Sequence, residues 1–166
     1  MNNLIETIGL CKRYRGFTLD HIDLTVPEGT IVGLIGENGA GKTTTIKAIL
    51  NVIHPDAGTV RLMGMDPQRQ AARQQVGVVF EDSYFYGGLN GAQIDRIMAG
   101  IHPQWDSQKF RRDLRRFDLD PKKPVKDFSR GMRMKISLAT ALASHPRLLV
   151  LDEATSGLDP VVRGEM

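Results

Sequence analysis

The chain has 166 residues, 41% of them hydrophobic and 25% charged, with a net charge of +3. That supplies one globular domain with a real core, excludes a disordered chain, and leaves no apolar stretch near the ~18 residues that a membrane-crossing helix needs. The single cysteine, Cys11, excludes an internal disulfide and suits a reducing compartment, the first six residues do not form a secretory signal, and the four scattered histidines offer no metal cluster, so composition describes a soluble intracellular domain.

The opening is strand-like. From Leu19 to Val26, apolar Ile22, Leu24 and Val26 alternate with His21, Asp23 and Thr25, the period of a half-buried strand. Pro27-Glu28-Gly29 marks a turn, and Thr30–Ile35 is an apolar run without alternation, which predicts a strand buried on both faces. A Gly-rich segment leads into a helix over Lys42–Ile53, closed by residues 54–58, and Thr59–Met63 reads as a strand. A polar helical segment, 67–75, precedes the apolar strand Val76–Phe80.

Residues 83–145 then carry helical periodicity, broken at His102-Pro103 and Asp120-Pro121. Ser129 fits a helix N-cap, and Ile136, Leu138 and Leu142 with Ala139, Ala141 and Ala143 form an apolar stripe. His145-Pro146 ends that helix before a further buried strand, Leu148–Leu151. Within 109–135 stand eleven Lys/Arg against four Asp/Glu, so a chain of net charge +3 concentrates +7 there and −4 elsewhere. A solvated helix face explains such a stretch, as does a surface for nucleic acid or anionic lipid. The alternation of elements predicts an α/β fold with a helical insertion.

The chemistry lies in Gly36-Glu37-Asn38-Gly39-Ala40-Gly41-Lys42-Thr43, which matches G-x-x-x-x-G-K-[ST] between an expected strand and helix. A triphosphate needs converging backbone N–H groups, and side chains at Gly39 or Gly41 would obstruct the approach. The helix starting near Lys42 adds its positive dipole end. Lys42 can reach the β/γ oxygens, and the Thr43 hydroxyl can bind Mg²⁺. Leu148–Leu151 runs into Asp152 and Glu153: the first can hold Mg²⁺ through water, and the second can take a proton from attacking water.

Three further segments make the chain resemble the nucleotide-binding subunit of an ATP-binding-cassette (ABC) transporter. Phe128-Ser129-Arg130-Gly131-Met132 resembles the family's L-S-G-G-Q signature, Ser156-Gly157-Leu158-Asp159 its D-loop, and Tyr14 the aromatic that stacks on adenine. The wording around Ser129–Lys135, with Tyr84-Phe85-Tyr86 and Pro103–Asp106 upstream, looks most like bacterial ABC-2 type exporter ATPases. The resemblance implies a P-loop NTPase core over 1–84 and 147–166, N-terminal antiparallel strands, and a helical subdomain over 85–146. It implies ATP and Mg²⁺ held by Tyr14, residues Gly36 to Thr44, Asp152 and Glu81, with Glu153 as general base. A dimer of like or unlike subunits would bury two ATP molecules, each also facing Ser129 and Gly131 of the other subunit. A transmembrane permease would receive the motion, placing the subunit at the inner face of the cytoplasmic membrane, with no nucleic acid involved. Alternatives are a module that binds nucleotide without turnover, and a soluble ABC-type ATPase acting on nucleic acid or the ribosome through 109–135.

The chain departs from the family's commonest pattern at Glu81, where glutamine is usual, at Arg130 and Met132 in the signature, and at Ala154 in place of proline. The family's γ-phosphate histidine lies beyond the D-loop, past Met166, and the strand before it belongs between the P-loop strand and the acidic strand. The resemblance therefore reads the chain as a fragment with unpaired backbone edges. Tyr84, Phe85 and Tyr86 suit either a permease-facing loop or rim packing, Trp105 an anchor of the helical segment, Met132 and Met134 gap-fillers, and Cys11 a buried thiol.

Overall fold

A computed structural model of the chain describes residues 2–80 and 85–152. It divides into two compact units, Met1–Arg73 and Gln74–Met166.

The first unit is built on a three-stranded antiparallel sheet. β1 (Asn3–Tyr14) and β2 (Phe17–Pro27) form a long hairpin around Arg15-Gly16, and β3 (Ala57–Leu62) pairs with the other edge of β1, giving the order β2-β1-β3. Gly16 supplies the positive φ, +88°, that so tight a connection requires. Leu4, Ile5, Leu10, Leu19, Val26 and Leu62 are buried, each contributing about 2 kcal/mol. The expected alternation of Ile22, Leu24 and Val26 is present.

The hairpin is not regular. Leu10 pairs with Ile22 and Lys12 with Leu19, so Cys11 alone opposes both Asp20 and His21. This bulge is turned by His21, at φ 48°. It corrects the reading that the histidines are too scattered for a metal cluster: the fold carries His21 to Cys11 and Asp20.

The expected strand over Thr30–Ile35 does not form. Neither sheet contains it, and Ile31 and Ile35 are 98% and 96% exposed. An apolar run becomes a doubly buried strand only when strands flank it, and no described strand pairs with this one. Helix α1 (Lys42–Ile49) buries Thr45, Ala48 and Ile49 and stops short of the expected Ile53. Asn51 ends it in the left-handed conformation, φ 55°. The Asn51 amide donates to Ala48 O at 3.1 Å and the Val52 amide to Lys47 O at 2.9 Å, a Schellman closure. A short helix, α2 (Gln70–Arg73), completes this unit.

In the second unit β4 (Val76–Val79) and β5 (Leu148–Leu151) pair in parallel, Val76 beside Leu148 through Val79 beside Leu151. Between them run α3 (Gly91–Ile101), α4 (Ser107–Arg116) and α5 (Arg130–Ala143), separated near the two proline breaks read from the sequence. Each start is capped: Asn90 and Gln93 form a reciprocal capping box, Asp106 accepts from the Lys109 amide, and Ser129 accepts from the Met132 amide. Ile94, Phe110, Leu114, Leu119, Val125, Phe128 and Ile136 form the helical core. The stripe on α5 is buried as expected, with Leu142 at its margin. Gly77 lets α5 approach β4, because a Cβ there would lie 3.0 Å from Ala141 O and 2.9 Å from Pro146 Cγ. Trp105 is the expected anchor: its ring stands 5.1 Å from Phe110, and its Nε1 donates to Asp95 at 2.8 Å. Met134 is buried and Met132 packs against the helical core. No helix among the described residues is long and apolar enough to cross a membrane.

Candidate functional site

Residues 36–40 form an exposed loop that tightens into α1. Gly39 and Gly41 take φ +86° and +94°, conformations that cost a side-chain-bearing residue about 1–2 kcal/mol. The two glycines answer different demands. A Cβ at Gly39 would meet open space, whereas one at Gly41 would lie 2.8 Å from Phe17 Cζ and 3.1 Å from Leu19 Cδ1. Gly36 is also close, its added Cβ 3.2 Å from that of Ala40.

Lys42 turns back into the loop. Its Nζ donates to Gly36 O at 2.8 Å and to Glu37 O at 2.9 Å, so the ammonium is held inside the arch by main-chain carbonyls. The Ala40 amide donates to Glu37 O at 3.1 Å, and Asn38 stands exposed at the bend. Gly41 O receives both the Thr45 amide and the Thr45 hydroxyl, at 2.8 and 2.9 Å, locking the loop to α1. No side chain caps the helix start and its first turn, with Thr43 and Thr44 half-buried, carries no acid. The arrangement is a concentrated positive end: one ammonium, the helix dipole and a glycine-lined rim.

Tyr14 stands beside this loop on the hairpin end. The residue is 47% exposed and its ring stacks on Phe17, with centroids 6.5 Å apart and planes 27° apart. Since Phe17 also abuts Gly41, one aromatic pair links the tip of the hairpin to the loop. Lys12 Nζ lies 5.6 Å from the Tyr14 ring and pairs with Asp56 at 2.8 Å. The Lys12 bond and the Arg13 amide hold the Asp56 carboxyl below its ordinary range. Sequence reasoning missed Phe17. The available signal was an Arg-Gly turn flanked by two aromatics, Tyr14 and Phe17.

Other residues singled out in the sequence lie in the second unit, taken by itself. Asp152 follows β5, is buried, and donates its amide to Val79 O at 2.9 Å. Ser129 caps α5 through Oγ at 3.2 Å from the Met132 amide, and Gly131 lies in the first turn. Arg133 braces that turn by donating to Phe128 O at 2.5 Å. Phe85 packs on the helical core while Tyr86 is 79% exposed. Glu81, Tyr84, Glu153, Ala154 and Ser156–Asp159 lie outside the described residues.

Residues 19–156 match the ABC transporter family. The chain is 37% identical to the bacitracin transport ATP-binding protein BcrA of Enterococcus faecalis, over 97% of this chain and 54% of that protein. It is 37% identical to the daunorubicin resistance ATP-binding protein DrrA3 of Streptomyces coeruleorubidus, over 98% of this chain and 54% of that one. The chain thus spans about half the length of these curated relatives. Among solved structures it resembles an ATP-binding subunit of an ABC transporter, with TM-score 0.85 and 29% identity over 97% of this chain and 70% of that one. The fold also matches CbiO1 of Clostridium perfringens, described as part of the CbiONQ transporter complex, with TM-score 0.74 and 22% identity over 99% of this chain and 71% of the other. The glycine arch, its inward lysine and these likenesses agree, and the chain belongs to the ABC transporter family, with the α/β P-loop fold of its ATP-binding subunits.

Proposed function

We propose that the chain is the nucleotide-binding part of an ABC-2 type export ATPase that binds and hydrolyses ATP. The observation that carries this reading is the Lys42 ammonium, held at 2.8 and 2.9 Å by the carbonyls of Gly36 and Glu37 within a loop of left-handed glycines. A polyphosphate entering the arch exchanges those two carbonyls for charged oxygens, a stronger partner for an ammonium. Residues 36–44 wrap the phosphates, Lys42 neutralises the γ-phosphate, and Tyr14 offers its exposed face to adenine.

The residues fit Mg²⁺ in kind: a hydroxyl on Thr43 and carboxylates on Asp152 and Glu81, all hard oxygen donors. Held by these residues, the ion would supply neutralisation of phosphate charge. Glu153 takes the proton of the water that attacks the γ-phosphorus, and ADP departs with the electrons of the broken P–O bond. Ser129 and Gly131 serve the nucleotide of a second subunit. Residues 1–84 with 147–166 act as the core and 85–146 as the helical subdomain that passes motion to a membrane permease. The relatives named for bacitracin transport and daunorubicin resistance support an export role at the inner face of the cytoplasmic membrane.

The test is calorimetric titration of the chain and of Lys42→Ala with Mg-ATP. Binding by the parent chain and its loss in a folded Lys42→Ala variant support the proposal. Equal binding by both overturns it. Hydrolysis measured beside binding, with Glu153→Gln as the trapped control, separates an ATPase from a module that binds without turnover.

A further inference from the structure

The bulge in the β1–β2 hairpin gathers three side chains that nucleotide binding leaves unused. In a regular strand Asp20 and His21 would point to opposite faces. Here Cys11 opposes both, and the left-handed φ of 48° at His21 swings the two onto one side. His21 Nδ1 lies 2.7 Å from Asp20 Oδ1, Cys11 Sγ lies 3.8 Å from the same oxygen, and the three donor atoms fall within 4.8 Å of one another. The sulfur is buried, whereas the Asp20 and His21 side chains are 68% and 75% exposed, so the cluster has a closed floor and an open mouth. The His21 amide also donates to Cys11 Sγ at 3.3 Å, so the sulfur faces the same opening as the imidazole and the carboxylate.

A thiolate, an imidazole and a carboxylate form the donor set of borderline-soft divalent cations rather than of Mg²⁺ or Ca²⁺. Zinc bonds of about 2.3 Å to sulfur and about 2.0 Å to nitrogen and oxygen, at tetrahedral angles, set such donors roughly 3.3–3.6 Å apart. The cluster brackets that spacing. We propose that Cys11, Asp20 and His21 form a three-ligand site for a zinc-class divalent cation, with water at the fourth position, clasping the two strands across the bulge. Binding releases the Cys11 proton, and the two anionic ligands balance the ion's charge.

Cobalt(II) tests the site without reference to ATP turnover. Cys11 is the chain's single cysteine, so any sulfur-to-cobalt charge-transfer band in the near ultraviolet belongs to it. Titration of the untagged chain without nucleotide should give a one-to-one band that Zn²⁺ displaces and Cys11→Ser abolishes. His21→Gly tolerates the backbone of the bulge while removing one ligand, and Asp20→Asn removes another. Loss of even an outer partner weakens metal sites 10–100-fold, so each should weaken cobalt at least about tenfold. Absence of the band in the folded chain overturns the proposal. So does a band whose affinity neither His21→Gly nor Asp20→Asn changes.

Discussion

The edge of the Phe17 ring occupies the ground on which a side chain at Gly41 would stand, 2.8 Å from a Cβ there. The glycine loop ahead of α1 is thus fitted to the hairpin tip, beside any demand its proposed ligand makes. Gly41→Ala meets this contact and a left-handed φ of +94° together. The conformation alone costs about 1–2 kcal/mol, and relief of the contact must displace either Phe17 or the loop. The variant should lower the urea midpoint accordingly and weaken nucleotide at least tenfold, about 1.4 kcal/mol in binding. Adding Phe17→Leu should relieve the Phe17 contact but restore neither full stability nor full affinity, because the backbone strain remains. Unchanged affinity in Gly41→Ala would show that the loop does not need this conformation.

Ser129 combines an observed role with a proposed one. Its Oγ accepts the Met132 amide at 3.2 Å at the start of α5, so Ser129→Ala should cost about 1 kcal/mol of stability. Ser129→Asp keeps a capping oxygen and suits the positive helix end, so it should unfold at the parent's urea concentration. It also places a negative charge where the proposed second subunit's γ-phosphate would sit. ATP-dependent dimerisation should therefore fail in Ser129→Asp although stability is retained. Normal dimerisation of that variant, read by light scattering, would confine Ser129 to capping.

Local chemistry was legible in the sequence, and supporting geometry was not. Glycine spacing located the left-handed loop ahead of α1, Ser129 announced a cap, and the prolines near 103 and 121 separated the helices, since each acts within a few residues. Phe17 beneath Gly41, and Cys11 beside His21, depend on hairpin register and on a one-residue bulge, which no short-range pattern encodes. Thr30–Ile35 failed for the opposite reason. Its composition states a preference for burial, but a strand exists only where neighbours accept its hydrogen bonds, and among the described residues none do.

That exposure gives a direct test. Ile31 and Ile35 are 98% and 96% exposed, so replacing both with Thr should change the stability of this chain by no more than about 0.5 kcal/mol. Buried in a central strand, the pair would cost several kcal/mol together. The same substitutions should reduce self-association, because they remove exposed apolar side chains from an unpaired extended segment. Urea unfolding and sedimentation of the double variant read both outcomes. A large drop in stability would mean that these side chains are covered in solution.

Asp95 provides a pH-dependent test of the helical core. It is buried and accepts from Trp105 Nε1 at 2.8 Å and Arg111 Nε at 2.7 Å. Burial pushes its carboxyl up, but hydrogen bonds from Ser107, Trp105 and Arg111 outweigh that and leave it below the ordinary 3.8. A folded value below the unfolded one means that ionised Asp95 adds stability above about pH 3.8, and that the gain is lost as pH falls through the folded value. Asp95→Asn keeps the shape and removes the charge. At pH 7 it should cost about 1–2 kcal/mol, a figure held down because the Arg111 side chain is 64% exposed and its charge is screened. The gap between parent and variant should narrow as pH falls below 3.8 and through the lower folded value, where Asp95 becomes neutral as well. Trp105 is the chain's single tryptophan and touches Asp95 directly, so its fluorescence reports the transition at each pH. A gap that stays constant as pH falls until the parent's acid transition would assign the loss to packing rather than to the charge.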